Sequence, residues 1–578
     1  MFSAPLLLVL LSLAIATKID SGRSTRTPDG CRTIPGDSSW PGPSQWDQFN
    51  QTVGGKLIAT VPIAAPCHNT LFGQPSGVYN QDKCDALRNT WYYPTTHLLS
   101  SSSPMAYTFS NNSCNPFLGP DTPCTIGGYV VFTVNATSSE DFQATVEFAK
   151  KKNIRLVIRN SGHDYLGKST GAHALGLWTH NLKSMELIQT YQNNNTYYNG
   201  PAIRLGAGVR TIEAYEFANS HGYVVVGGNC PTVGLAGGYI QGGGHGPLSS
   251  MFGLAADQVL EYELVTADGR LVTATRTSHS DLFWALRGGG GSTFGIVVSV
   301  VVKAFPDSSF STAYMMISNN GTNEEALYSA VGTFIQTLPS LVDAGAIAIW
   351  VVIPEGFYVT PVIYPGIQSA ELDAKLAPVT DSLQRLGLTY TYSSSSYPTF
   401  LTTFNSVTTV SNVSDQNIGG RLIPRSLVEG NDITQLVDSI RYISTQDGGV
   451  FVGNAINVRG GVASPDDVAA NPHFRDTLFS ATIGTTIDYL NWDTTLAAKQ
   501  TITDDLLPRL EALTPGGGAY LNEGDVNQPE FQSTFFGDHY DRLLQIKREY
   551  DPCGIFYAET AVGSESWVQD INGRLCRA

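Results

Sequence analysis

Between residues 128 and 165 the chain writes one complete strand–helix–strand unit, and the loop that closes it limits what the fold can be. Gly128 to Asn135 reads as a strand. Thr137-Ser138-Ser139-Glu140 has the spacing of a capping box, and Phe142, Thr145, Val146 and Ala149 then recur at helical intervals. Ile154 to Ile158 is the next strand. It runs into Arg159-Asn160-Ser161-Gly162-His163-Asp164-Tyr165, at the end of the unit where α/β sheets bind ligands. A second glycine-rich stretch, Gly227-Gly228-Asn229-Cys230-Pro231-Thr232-Val233-Gly234, leads into Gly242-Gly243-Gly244-His245-Gly246. Glycine lets backbone approach a ligand closely and offers N–H groups to an anion. A histidine in one loop and a cysteine in the other point to a cofactor held at two places, and so to redox chemistry.

The surrounding pattern divides the chain. At 578 residues it is too long for one ordinary core. A Pro/Ser-rich, loop-like region extends to about residue 120. Ala202 to Gly206 followed by Ile212 to Ser220 repeats the strand–helix pattern, and Asp268-Gly269 between Gln258–Thr266 and Leu271–Thr275 signals a hairpin. Arg287 to Gly295 is a further glycine-rich run before the strand Ile296 to Lys303. From about 307 the character changes. Strand-like runs (Thr312 to Ile317, Ala346 to Ile353, Leu388 to Tyr392, Val450 to Val458) alternate with amphipathic helices (Glu324 to Leu338, Ala370 to Leu386, Thr495 to Leu513). This predicts a second α+β domain, a sheet covered by helices. The tail carries one predicted helix, about 535 to 549, ending before Pro552.

The formal charge of −16 argues against nucleic acid or an anionic membrane as partner. Leu6 to Ala16 reads as a secretory signal cleaved near Ala16, too short to span a bilayer. Sequons at Asn50, Asn111, Asn135, Asn194, Asn320 and Asn412 agree with a secreted glycoprotein. The eight cysteines are Cys31, Cys67, Cys84, Cys114, Cys124, Cys230, Cys553 and Cys576. In an oxidising compartment they form either four bridges, or fewer with Cys230 reserved for a cofactor and an odd number left over.

Gly162 to Ser169 fits the G-x-x-x-x-G-K-[ST] pattern of a nucleotide-hydrolase loop, but its context rejects that reading. Such a loop opens a helix, whereas Thr170 to Leu177 is glycine-broken and strand-like. No G-x-G-x-x-G stands at a strand–helix turn with the acidic residue of a dinucleotide fold after it, and no metal-ligand spacing occurs. His163 alone is more often a hydrogen-bonded loop residue, and Cys230 alone more often half of a disulfide. Together in these settings they carry more weight.

At this point the chain resembles the berberine bridge enzyme-like flavoproteins of the vanillyl-alcohol oxidase superfamily. The matching stretches are Arg159 to Gly167, Cys230 to Gly234, Gly253-Leu254-Ala255-Ala256-Asp257, Asp281-Leu282-Phe283-Trp284 through Gly295, and Tyr550-Asp551-Pro552, tightest over roughly 120 to 306. The resemblance implies an α+β fold: a two-subdomain FAD-binding domain (121–306) and a substrate domain with an antiparallel sheet covered by helices (307–514). A cysteine-containing segment (17–120) would precede these, and a C-terminal segment (515–578) would pack back on the FAD domain. It implies FAD bonded through its 8α-methyl carbon to His163 and through C6 to Cys230. Imidazole and thiolate are nucleophiles, and an oxidised flavin is electrophilic at those carbons. Backbone N–H groups around Ser161, Gly162, Gly228 and Gly234 would face the pyrophosphate. Arg159, Asn160, Asp164, Tyr165, Gly227, Val233, Gly237, Gly238, His245, Leu254, Asp257, Gly295 and Ile296 complete the implied cofactor contacts, with Val233 at the position associated with oxygen access.

Tyr520-Leu521-Asn522 resembles the family's Tyr-x-Asn element, in which the tyrosine is the catalytic base. A phenol must be lowered from about 10 to act as base at neutral pH, and Asn522 could donate to it. Glu523 and Asp525 are the other candidates. The implied activity is a secreted oxidase that passes hydride from a small alcohol or amine to FAD, with oxygen reduced to hydrogen peroxide. An oligosaccharide oxidase and a flavin-binding protein without activity are the alternatives. Substrate identity, disulfide pairing and oligomeric state stay open.

Overall fold

The helix that the capping motif announces runs Ser139–Lys152. Its cap lies one residue later than the sequence pattern placed it. Asp141, not Glu140, accepts the backbone N–H groups of Thr137 (2.8 Å) and Ser138 (3.2 Å), and Lys56 pairs with the same carboxylate at 2.7 Å. The predicted apolar positions Phe142, Thr145, Val146 and Ala149 are all buried. Phe142, Val146 and Ala149 pack with Trp46, Phe132 and Leu156 over the sheet. Asn153 ends the helix in the left-handed conformation (φ 51°), which asparagine tolerates better than most residues.

The computed structural model describes residues 27–578 apart from 193–197, 320–322, 409–411 and 431. The predicted signal with Ala16, and the sequons at Asn194 and Asn320, lie outside the described residues.

The fold is α+β; among the described residues it is built on three large sheets, with three two-stranded ribbons beside them. The first sheet is ordered Leu57–Ala59, Phe132–Asn135, Leu175–Trp178, Leu156–Arg159, with the last three strands parallel. Leu175–Trp178 between its neighbours is the stretch that argued against a nucleotide-hydrolase loop, and no helix opens at Lys168. The second sheet is antiparallel: Leu271–Ala274, Val259–Val265, Ile296–Lys303, Gly200–Gly206, Met185–Tyr191. Gly269 takes φ +87° in the predicted hairpin turn.

The third sheet has seven antiparallel strands, with Gly356–Pro365 and Ile347–Ile353 near its middle and Gln416–Pro424 at one edge beside Thr477–Thr486. Helices Glu324–Asp343, Ser369–Arg385 and Thr434–Ser444 bury one face around Trp350. Neighbouring glycines in the edge strand mark its two faces. A Cβ on Gly419 would strike Ile502 and Leu507 on the helical side; one on Gly420 would strike the carbonyl of Glu523 on the other. That second face forms part of the site.

The N-terminal segment is more ordered than its Pro/Ser content predicted. It contains helices Pro43–Thr52, Gln81–Thr90 and Pro94–Leu98, two of them starting on proline at the first turn, where a missing N–H costs nothing. The predicted tail helix is two pieces, Phe531–Phe536 and Tyr540–Tyr550, parted by Gly537 at φ +56°. Phe535, Phe536 and Leu543 share one core with Ile240, Phe294 and Leu254, so the tail packs on the glycine-loop region. Disulfides join Cys31 to Cys576, Cys67 to Cys84 and Cys114 to Cys124, while Cys230 and Cys553 are free. The four-bridge alternative is therefore excluded: the Cys230 side chain turns to His163 and Thr232 and not to another cysteine.

Candidate active site

The parallel strand Leu156–Arg159 delivers the His163 loop, and Asp164 fixes its shape. The Asp164 carboxylate accepts the N–H groups of Leu166 (3.1 Å) and Ser169 (2.8 Å). The second glycine-rich loop closes against it. Asn160 reaches Thr179 at 2.9 Å and the carbonyl of Ala207, Ser161 Oγ accepts from Gly234 N at 3.2 Å, and a Cβ on Gly234 would collide with the Asn160 amide. Glycine at 234 is thus a steric condition for the two loops to meet.

Their meeting brings the two nucleophiles together. His163 Nε2 lies 2.6 Å from Thr232 Oγ1, Cys230 Sγ lies 3.3 Å from the same hydroxyl, and Sγ to Nε2 is 3.8 Å. Burial alone would raise the Cys230 thiol. His163 beside it and the hydrogen bonds from His163 and Thr232 outweigh burial and bring it down to about 7. A good fraction of thiolate is present near neutral pH.

Both side chains line a cavity of about 280 Å³. Asn160, Ser161, Gly162, Asp164, Tyr165, Gly228, Val233, Gly234, Gly237, Gly238, His245, Gly295, Tyr520 and Asn522 line it too. Five of the implied cofactor residues do not. Arg159 turns away and donates to the carbonyls of His97 (3.0 Å) and Ser103 (2.8 Å), bracing the loop against the N-terminal segment. Asp257 forms a two-pronged buried pair with Arg475, at 2.8 and 2.9 Å, and accepts Leu254 N at 2.8 Å. Leu254 and Ile296 are core residues, and Gly227 backs the cavity against Tyr215.

Tyr520, Asn522, Glu523 and His245 stand together on the same cavity's wall. Asn522 Nδ2 donates to Tyr520 Oη (2.8 Å) and to the carbonyl of Gly238 (3.0 Å). The expected donor is in place, yet the phenol is not lowered. Burial, with the Glu523 charge next, pushes Tyr520 well above its ordinary value, so it is a neutral phenol. Glu523 goes the other way. Burial opposes its charge, but His245 and the Thr482 hydroxyl hold it below the usual carboxylate range. His245 Nε2 is 3.2 Å from Glu523 Oε1, and Thr482 Oγ1 donates to Oε2 at 3.1 Å. Asp525 lies off the cavity, bonded to Thr503.

Lys168 and Tyr239 are among the cavity residues that the sequence reading did not single out. Lys168 was visible only as part of the nucleotide-loop pattern and dropped with it. Its Nζ is buried without a partner, and burial, opposed by Asp164, lowers it to about 8. Thr232, which joins His163 to Cys230, carried no signal beyond its place in the loop.

A family profile described as FAD binding domain matches residues 130–275, and one described as Berberine and berberine like matches 519–563. The FAD-linked oxidoreductase sor8 of Hypocrea jecorina (strain QM6a) is 42% identical over 577 residues, covering 100% of this chain and 98% of that protein. The chain belongs to the berberine bridge enzyme-like FAD-linked oxidoreductases. The crystal structure of the VAO-type flavoprotein MtVAO615 from Myceliophthora thermophila C1 matches this oxidoreductase with a TM-score of 0.89 at 39% identity, over 95% of this chain and 100% of that one. Berberine bridge enzyme from Eschscholzia californica shares the fold at 16% identity, with a TM-score of 0.64 over 89% of this chain and 98% of its own.

Both profile matches contribute to the oxidoreductase's cavity: His163, Cys230 and His245 lie in the first, Tyr520, Asn522 and Glu523 in the second. The residues present suit FAD. The wall has nucleophiles of the right type, and its glycines 162, 234, 237 and 291 sit where a Cβ would reach neighbouring loop atoms at 3.0 Å or closer. Among the described residues no helix is long and apolar enough to cross a membrane.

Proposed function

We propose that FAD is bonded to both His163 and Cys230, and that the protein is a secreted oxidase of small-molecule alcohols or amines using oxygen. The observation that carries this is the convergence of the two side chains on Thr232 Oγ1 at the cavity wall, with the thiol brought down to about 7. When bound, FAD supplies the two-electron oxidant: a substrate C–H leaves as hydride, and oxygen then takes up the electrons to give hydrogen peroxide. Thr232 holds the imidazole and the sulfur in one orientation. The Ser161–Gly162 and Gly228–Gly234 backbone offers N–H groups to the pyrophosphate. Tyr239 donates to the His245 carbonyl at 2.9 Å and fixes the loop on which His245 stands. Val233, small and partly exposed on the wall, leaves room for oxygen. Three disulfides and exposed sequon residues Asn111 and Asn412 support secretion and glycosylation.

The test is a peroxide-coupled screen of purified holoenzyme against alcohols, amines and oligosaccharides, with anaerobic flavin bleaching as the second readout. Peroxide released with an alcohol or amine supports the reading. Flavin that no substrate reduces would overturn the oxidase assignment.

A further inference from the structure

The site contains an ionised acceptor that flavin attachment does not use. Glu523 follows the Tyr520–Asn522 pair on the turn Leu521–Glu523, with its side chain 27% exposed in the cavity wall. Its oxygens are held from two other elements. His245, side chain 4% exposed, reaches Oε1 at 3.2 Å from the glycine loop, and Thr482 donates to Oε2 at 3.1 Å from the strand Thr477–Thr486. The other ionisable groups that feel its charge are phenols: Tyr165, Tyr239 and Tyr520, all pushed up by burial first. Every one is neutral at ordinary pH, and Glu523 is the charged group that acts on Tyr520. The Tyr520 ring lies 5.0 Å from the His245 ring, and its oxygen already accepts from Asn522. Among the described residues no acceptor takes the phenol's own proton.

Resting on the flavin reading above, we propose that Glu523 is the proton acceptor, with His245 and Thr482 as its positioning residues and Tyr520 as a neutral hydrogen-bond donor, and that the substrate is an uncharged alcohol. The step balances. The hydroxyl proton passes to a Glu523 oxygen, the carbinol hydrogen leaves with its electron pair to the flavin, and the carbon–oxygen bond becomes a carbonyl. The Tyr520 O–H supports that oxygen as it loses its proton. An amine needs no such acceptor once neutral, because its nitrogen lone pair already drives hydride out. A hydroxy acid would bring a second carboxylate toward Glu523, and like charges in a poorly solvated cavity repel strongly.

Two probes test this. Sulfite, which adds to oxidised flavin, reads the charge near the ring without turnover. Glu523→Gln should tighten sulfite binding about tenfold, the size of one charge acting at close range. Matched benzyl alcohol, benzylamine and mandelate then read the chemistry by anaerobic bleaching. The alcohol should be preferred, and Glu523→Gln should slow its bleaching by about 100-fold or more at saturation, with KM changed far less. The acidic limb of the wild-type rate profile should move to higher pH in His245→Gln, because the neighbour holding Glu523 low is gone. It should persist in Tyr520→Phe. Unchanged sulfite affinity in Glu523→Gln, or loss of the acidic limb in Tyr520→Phe alone, overturns the proposal. So does equal or better bleaching by mandelate. If none of the three bleaches the flavin, the alcohol assignment fails even where sulfite responds. Far-ultraviolet circular dichroism and flavin content check folding, and Thr482→Val, which removes one hydrogen bond from Glu523, should give a smaller shift in the same direction as His245→Gln. Wild-type protein without a flavin chromophore would instead refute the flavin reading itself.

Discussion

Asp257→Asn isolates a joint that sequence resemblance would assign to the cofactor. In the structure both Asp257 oxygens meet the guanidinium of Arg475, at 2.8 and 2.9 Å, and the side chains are 0% and 8% exposed. Arg475 also donates to the carbonyl of Val458 at 2.8 Å. The pair ties the turn that follows the second glycine loop to the segment entering Thr477–Thr486, the strand that carries Thr482. Asparagine keeps the shape but removes the charge, leaving a buried guanidinium with little compensation. Breaking one half of such a pair costs about 3–5 kcal/mol. The assay is chemical denaturation followed by intrinsic fluorescence, with Arg475→Met and the double variant completing a cycle. The double variant should recover part of the loss, because an apolar side chain in place of the guanidinium leaves no stranded charge. Flavin attachment in whatever folds should be complete. A loss under about 1 kcal/mol in Asp257→Asn, or a folded variant that fails to retain flavin, would refute the structural assignment.

The remaining predictions concern the thiols and an acid-sensitive contact. In protein prepared without flavin, alkylation of Cys230 should reach half its maximal rate near pH 7, read by peptide mass spectrometry, and His163→Ala should move that midpoint upward toward the ordinary thiol range. In holoenzyme treated with iodoacetamide without reductant, Cys553 should be labelled while Cys230 and the six bridged cysteines are not. Glu213 is opposed by burial but lowered to about 2 by Arg210 and Lys183. A depressed carboxylate stabilises above its unfolded value near 4.3, so that contribution should fade as pH falls from about 4 to about 2 and be missing in Glu213→Gln, as thermal melts across that range would report.

The regular first unit was readable because its signals agree. The period of Phe142, Thr145, Val146 and Ala149, the capping residues and the glycine loop all favour one answer; the cap was misplaced by a residue, and the strands start later than expected, at Phe132 and Leu156. The strands Gly356–Pro365 and Gln416–Pro424 were not readable. One contains Pro361 and the other Gly419 and Gly420, residues that punctuate loops in a sequence; here all three lie inside strands, the two glycines where neighbours crowd the backbone. At the site, loop composition located His163 and Cys230, and nothing local could show that Thr232 would join them. The role of Tyr520 depended on a balance of burial against Asn522 that no linear motif records, and the partnership of His245 with Glu523 spans 278 residues.

If one flavin joins the two loops, mass spectrometry of proteolysed holoenzyme will carry its signature. A single flavin-bearing species is expected, in which the His163 peptide and the Cys230 peptide are linked through the same ring, with each link surviving alone in the Cys230→Ala and His163→Ala variants. Unmodified His163 and Cys230 peptides, with all flavin released into the acid supernatant, would contradict it.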